Sequence, residues 1–264
     1  MAKKVYLGVG HGGKDPGAVA FGRKEKDMAL DIAKACRDEL VRHGVNVMLS
    51  RESDVSENLA SRIEECNAFN PDLAADIHLN AGKGDGAEVF HSKADTSDDV
   101  LAKNILDEIT KIGQNSRGLK VKLLDDGRDY FGFVRQIKCD SVLVECAFID
   151  NATDVKIVDT LAERKAMGVA IAKGILKTLG ITYKEPAKTN SFLTARGYLT
   201  KGDSGNSVQA LCDFFANQVK GNYFGDYLEA CVKVFQKQNA LEQDGNVGPL
   251  TLAELKKHGF KVEE

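Results

Sequence analysis

Apolar residues along this chain follow two rhythms, and their alternation sets the expected fold. Val5, Leu7 and Val9 alternate through VYLGVGHGG, a short strand that glycines stop. A helix follows, with Ala29, Ile32, Ala33, Cys36 and Leu40 on one face and Gly44 as its stop. Val45 to Ser50 alternates again, and Ser56 is placed to cap a helix running to about Phe69. The next strand runs from Leu73 to Asn80, with GAEVFHS as a possible further one. Ser97 is placed to cap a helix lined by Leu101, Ile105, Ile109 and Ile112. Leu119 to Leu124 and Tyr130 to Val134 read as short strands or loop. Ser141 to Ile149 is almost continuously apolar, the pattern of a central strand covered on both faces. Thr160 and Glu163 form a capping box for a last helix carrying Met167, Ala170, Ile171, Gly174 and Ile175, which ends at Gly180.

Strands separated by crossover helices predict an α/β fold: a twisted, mostly parallel sheet flanked by helices. The pattern assigns 1–181 to this domain and breaks down over 182–196, a linker beginning TYKEPAKTNS. Residues 197–264 are then a second, smaller domain, with Val208, Leu211, Val232, Phe235 and Leu255 as its core.

Composition narrows the possibilities by exclusion. The 264 residues carry a net charge of −3 with no Lys/Arg cluster, so nucleic acid is not an expected partner. No apolar run reaches membrane-spanning length, so no membrane partner is expected. The start MAKKVYLGVG lacks a signal peptide's hydrophobic region, so the expectation is a chain that stays in the cytoplasm until release. The six cysteines form no CxxC pair, which argues against a thiolate zinc site or a disulfide framework and for reduced core residues.

Four residues carry candidate chemistry. His11 falls at the carboxyl end of the first strand, the edge where open α/β sheets bind ligands, and His78 falls near the same end of another. Glu25 opens the first long helix, where the helix dipole alone would favour a carboxylate. Glu145 lies inside the apolar run, where a carboxylate is costly unless it is paired or beside a metal. Its neighbour Cys146 must face the other way, which weakens a cysteine-nucleophile reading. His91 has no evident partner and is assigned to the surface. Two histidines and a glutamate suffice for a catalytic zinc ion, with His11, Glu25 and His78 as ligands and Glu145 as the base.

GHGGKDPGA, KEKD, DIHLNA and VECAFIDN, in this order, resemble the motifs of the zinc-dependent N-acetylmuramoyl-L-alanine amidases of the amidase-3 type. The resemblance spans roughly residues 3 to 180 and implies Zn2+ on His11, Glu25 and His78, a catalytic Glu145, and peptidoglycan as substrate. The bond implied is the amide between N-acetylmuramic acid and L-alanine. Arg135, in FGFVRQ, resembles an arginine often found there, with substrate contact as one expected role and a surface or structural role as the alternative. One departure is Asp76, where the family often has serine; alternation puts it on the strand face of His78, in reach to orient that imidazole or adjust the metal's charge. In the tail, YLTKGDSGNSVQAL and DGNVGPLT resemble a peptidoglycan-binding type 1 domain, a three-helix module, with binding expected around the Asp203 and Asp244 loops. The whole is similar to a bacteriophage endolysin or a bacterial autolysin. A zinc peptidase cutting within the stem peptide and a non-catalytic wall-binding protein are the alternatives.

Overall fold

The computed structural model describes residues 2–94, 98–185, 193, 196–215 and 223–261. The chain forms two compact units, Met1–Lys184 and Glu185–Glu264.

In the first unit the elements are β1 (Lys4–Val9), a two-residue hairpin of β2 (Val19–Ala20) and β3 (Arg23–Lys24), α1 (Glu25–Arg42) and β4 (Asn46–Leu49). Then come α2 (Leu59–Phe69), β5 (Leu73–Asn80), β6 (Ala87–Phe90), α3 (Asp98–Lys111) and β7 (Ser116–Lys120). The short α4 (Gly132–Gln136), β8 (Asp140–Phe148), a 3-10 turn (Asp154–Val158) and α5 (Leu161–Thr178) complete it. The main sheet has the order β4-β1-β5-β8-β6-β7. All neighbours are parallel except β6 and β8, so the mostly parallel sheet is as the sequence implies.

Strand alternation divides the side chains between two faces. Val5, Leu7 and Val9 of β1, Ala75 and Ile77 of β5, and Val142, Val144 and Cys146 of β8 join the main core. The apolar faces of α1, α3 and α5 complete that core, and α5 packs on both α1 and α3. On the opposite face Tyr6, Ala74, Cys66 and Phe133 make a smaller cluster. That face has less apolar cover, and it is where the polar strand residues point.

Thr160 and Glu163 form the expected capping box. Other local expectations are corrected. Asn58, not Ser56, caps α2, by accepting the Ser61 amide at 2.8 Å, because Ser56 Oγ is taken by the Lys14 amide at 3.0 Å. Tyr130 to Val134 is no strand: its second half enters α4. Leu119 to Leu124, expected as strand or loop, is some of each: Leu119 and Lys120 end β7, and Val121 to Leu124 lie beyond it. Ser97 and residues 186–192 of the expected linker lie outside the described residues.

Close helix packing leaves two α5 glycines no room for a side chain, Gly168 against α1 and Gly174 against α3. A Cβ on Gly174 of α5 would lie 2.5 Å from Ile105 Cα on α3. Gly174→Ala should therefore force the two helices apart and destabilise this unit by about 1–3 kcal/mol, measured as a lower urea midpoint at unchanged slope.

The second unit contains α6 (Asn206–Phe214), α7 (Asp226–Gln238) and α8 (Pro249–Lys257) around one core. That core includes Val208, Leu211, Val232, Phe235 and Leu255, as expected. Buried Gln236 shapes the DGNVGP turn: its Nε2 donates to Asp244 Oδ1 and to the Asn246 carbonyl, at 2.8 and 2.9 Å. Its Oε1 accepts the Gly245 amide at 2.9 Å.

Candidate active site

The carboxyl ends of β1, β5 and β8 border a cleft of about 440 Å3. His11, the second residue after β1, has a φ of 57°, a left-handed conformation that is uncommon for a residue with a side chain. The turn holding it is tied down on both sides. The Gly10 amide donates to the Ile77 carbonyl at 2.9 Å, and the buried Arg51 donates to the Gly10 carbonyl at 2.9 Å. Glu25 enters as the first residue of α1 and reaches back between the strand ends.

The geometry brings His11, Glu25 and His78 together, with one ligand atom from each all within 4.8 Å of one another. Glu25 is 4% exposed and sits between the imidazoles, its Oε2 3.2 Å from His11 Nε2 and its Oε1 2.9 Å from His78 Nδ1. The amides of Ala18 and Leu79 also donate to it, at 2.9 and 3.0 Å. Burial alone would raise its pKa, but the bonds from His11 and His78 reverse that and hold it well below the ordinary carboxylate range. Its bond to His11 in turn raises that imidazole, against the opposing effect of burial. Burial also opposes the charged form of His78, yet Asp76 and Glu25 drive its pKa well upward.

Glu145 stands beside His78 in the parallel register and directly across from Glu88 on β6. Its Oε2 is enclosed and has no hydrogen-bond partner. Burial pushes the carboxyl up to about 7, with Glu25 and Glu88 adding to the rise and His78 opposing it. A carboxyl of that pKa exchanges protons readily at neutral pH. Cys146 faces the main core and is fully buried, and burial raises its thiol pKa strongly, so it takes no part in the cleft.

Arg135 is not among the residues that line the cleft. Its Nη1 donates to the carbonyls of Asp129 and Tyr130, at 2.5 and 3.1 Å, and so braces the turn that leads to Phe131. Phe131 itself lines the cleft, together with Leu59, Phe133 and Leu143. His91 pairs with Asp99 at 2.7 Å, away from the cleft.

Three partners were not legible in the sequence. Asp15 bonds His11 Nδ1 at 2.8 Å, and its position four residues after His11 in the glycine-rich motif was the only signal. Arg62 reaches the cleft from α2, and Glu88 is pinned by Arg117. Both lie in segments whose patterning marks only their apolar faces.

A sheet edge holding a buried His/Glu/His cluster, a proton-exchanging carboxyl and an apolar wall defines an α/β protein with a potential metal-holding centre in an open cleft. The chain belongs to the N-acetylmuramoyl-L-alanine amidase family, whose model matches residues 5–177. Residues 191–255 match a putative peptidoglycan-binding domain. The chain is 35% identical to the endolysin of Bacillus phage SPP1 over 68% of its own length and 69% of that protein's. It is 31% identical to the amidase CwlM of Bacillus licheniformis, covering 69% of this chain and 73% of the relative. Among solved structures, the amidase AmiC2 of Nostoc punctiforme superposes with a TM-score of 0.62 at 30% identity, over 67% of this chain and 97% of that one. Among the described residues, no helix is long and apolar enough to cross a membrane.

Proposed function

We propose that this peptidoglycan amidase uses zinc held by His11, Glu25 and His78, with Glu145 as its proton carrier, to cut the amide between N-acetylmuramic acid and L-alanine. The observation that carries the proposal is the clustering of the three donors beside a carboxyl whose Oε2 is enclosed and unpartnered. Two imidazoles and one carboxylate are a donor set of catalytic zinc sites, which keep one position open. When bound, zinc supplies Lewis acidity, polarising an amide carbonyl and acidifying water.

The chain's own residues supply the rest. Asp15 holds His11 from the side of Nδ1, which leaves Nε2 turned to the cluster. Glu145 takes a proton from the attacking water and returns it to the leaving L-alanine amine, a task suited to a carboxyl near neutrality on a rigid central strand. Phe131, Phe133 and Leu143 form the apolar wall against which substrate is oriented. Arg135 acts on that wall through the turn it braces. The second unit holds the wall polymer, and a groove bordered by Arg196, Tyr198, Asp244 and Asn246 is the face assigned to it. Asp203 shapes the neighbouring loop by accepting the Thr200 amide at 2.9 Å. The likeness to a phage endolysin supports a chain that meets the wall at lysis.

Digestion of purified peptidoglycan, followed by mass spectrometry of the soluble fragments, tests this. The expected products are intact stem peptides with a free L-alanine amino terminus. Fragments cut within the stem would replace the amidase assignment with a peptidase.

A further inference from the structure

Asp76 occupies a place where the chemistry above requires no charge. It is 2% exposed, on the β5 face that also presents His78, and a carboxylate so enclosed is tolerated only when paired. Asp76 is paired on two sides. Arg62 Nη1 donates to both of its oxygens, at 3.1 and 3.2 Å, and its Oδ2 lies 3.4 Å from His78 Nε2.

The two nitrogens of His78 therefore have different neighbours. Nδ1 faces Glu25 and the donor cluster, while Nε2 faces Asp76. Arg62 does more than neutralise the carboxylate. Its Nη2 donates to the Val9 carbonyl at 3.0 Å, so one guanidinium ties the ends of β1 and β5, the strands that lead to His11 and carry His78. Arg62 is itself 6% exposed. Beside Asp76 in the parallel register stands Gly8, where any Cβ would run into the Asp76 carboxyl. The pair thus occupies space that a specific neighbour leaves open.

We propose that Asp76, clamped by Arg62, is a positioning residue for His78: it accepts the Nε2 proton, which fixes the tautomer that presents Nδ1 to the metal. A carboxylate behind a ligating histidine orients the ring and strengthens it as a donor, and loss of such a partner typically weakens metal binding by about 10–100-fold. This rests on the zinc assignment above.

The test is the zinc dissociation constant of the full chain, read by competition with a chromogenic chelator, for wild type, Asp76→Ser and Asp76→Asn. Long-range proton–nitrogen spectra of zinc-loaded wild type are recorded beside it. Removing Asp76 takes from the buried Arg62 one of its two carboxylates and leaves it Glu57, 3.4 Å from its Nε, so the double variant Arg62→Met, Asp76→Asn is measured as well. Zinc binding weakened about 10–100-fold in all three variants, with His78 protonated at Nε2 in wild type, is the expected result. Unchanged zinc affinity alongside a lower melting temperature would reduce Asp76 to a structural role and overturn the inference, as would zinc on Nε2. A wild-type chain that binds no zinc would overturn the metal assignment and this inference together.

Discussion

Glu145→Gln is expected to lower amide hydrolysis by about 10^2–10^4-fold, the range that a positioned acid–base group contributes, while zinc binding is retained. Glutamine keeps the shape of the side chain but cannot carry a proton between water and the leaving amine. Release of free L-alanine amino termini, measured beside zinc content, checks both halves. A variant that kept wild-type rates would remove Glu145 from the mechanism. The same substitution carries a second, independent signature in zinc-free protein. Burial raises the folded carboxyl from an ordinary 4.5 to about 7, so between those values the native state holds a proton that the unfolded chain has released. Stability contributed by this group is then present below about pH 4.5 and declines as pH rises through 7. Glutamine abolishes the decline. Its gain in melting temperature over wild type should be small at pH 5 and larger at pH 8.

Zinc removal should abolish activity and destabilise the first unit, with both restored by adding zinc. A metal that binds only the folded state at 100 times its dissociation constant contributes about 2.7 kcal/mol. The benefit should depend on pH in a direction set by the cluster. In zinc-free protein both histidine pKa values are raised, His11 chiefly by its bond to Glu25 and His78 by Asp76 and Glu25 against the effect of burial. A raised imidazole stabilises the fold below its unfolded pKa, and that contribution is lost as pH rises through the folded value. Zinc competes with those protons at low pH and replaces their charge at high pH. The rise in melting temperature on adding zinc should therefore grow from pH 6 to pH 8. A zinc effect that shrank over this range would count against His11 and His78 as the ligands.

Some of this was written in the chain as linear pattern. Alternation over Leu73 to Asn80 and the apolar run around Glu145 announced strands, because side chains on a strand point to opposite faces at every step. Once two strands are parallel, residues near their carboxyl ends share an edge. That makes the approach of His78 and Glu145 a consequence of periodicity and topology. Glycine-rich loops around His11 and the capping box at Thr160 are equally local signals, since they reflect backbone conformations and bonds a few residues apart.

One error has an equally physical origin. Ser56 has the chemistry of a helix cap, but its hydroxyl was claimed by Lys14, far away in sequence, and Asn58 took the role. For Arg135, read as a substrate contact or a structural residue, the bonds of Nη1 to carbonyls of its own preceding turn support the structural alternative.

By itself the sequence determined the alternating strand and helix order and the two-part organisation of its apolar pattern, and it singled out His11, Glu25, His78 and Glu145 as candidates. Only the tertiary structure decided which charges meet. Asp76 with Arg62 and Glu145 with Glu88 are pairings across elements, set by sheet register and by the side on which each helix packs. Side-chain pattern specifies which face a residue occupies, whereas the partner it finds there depends on how distant segments pack.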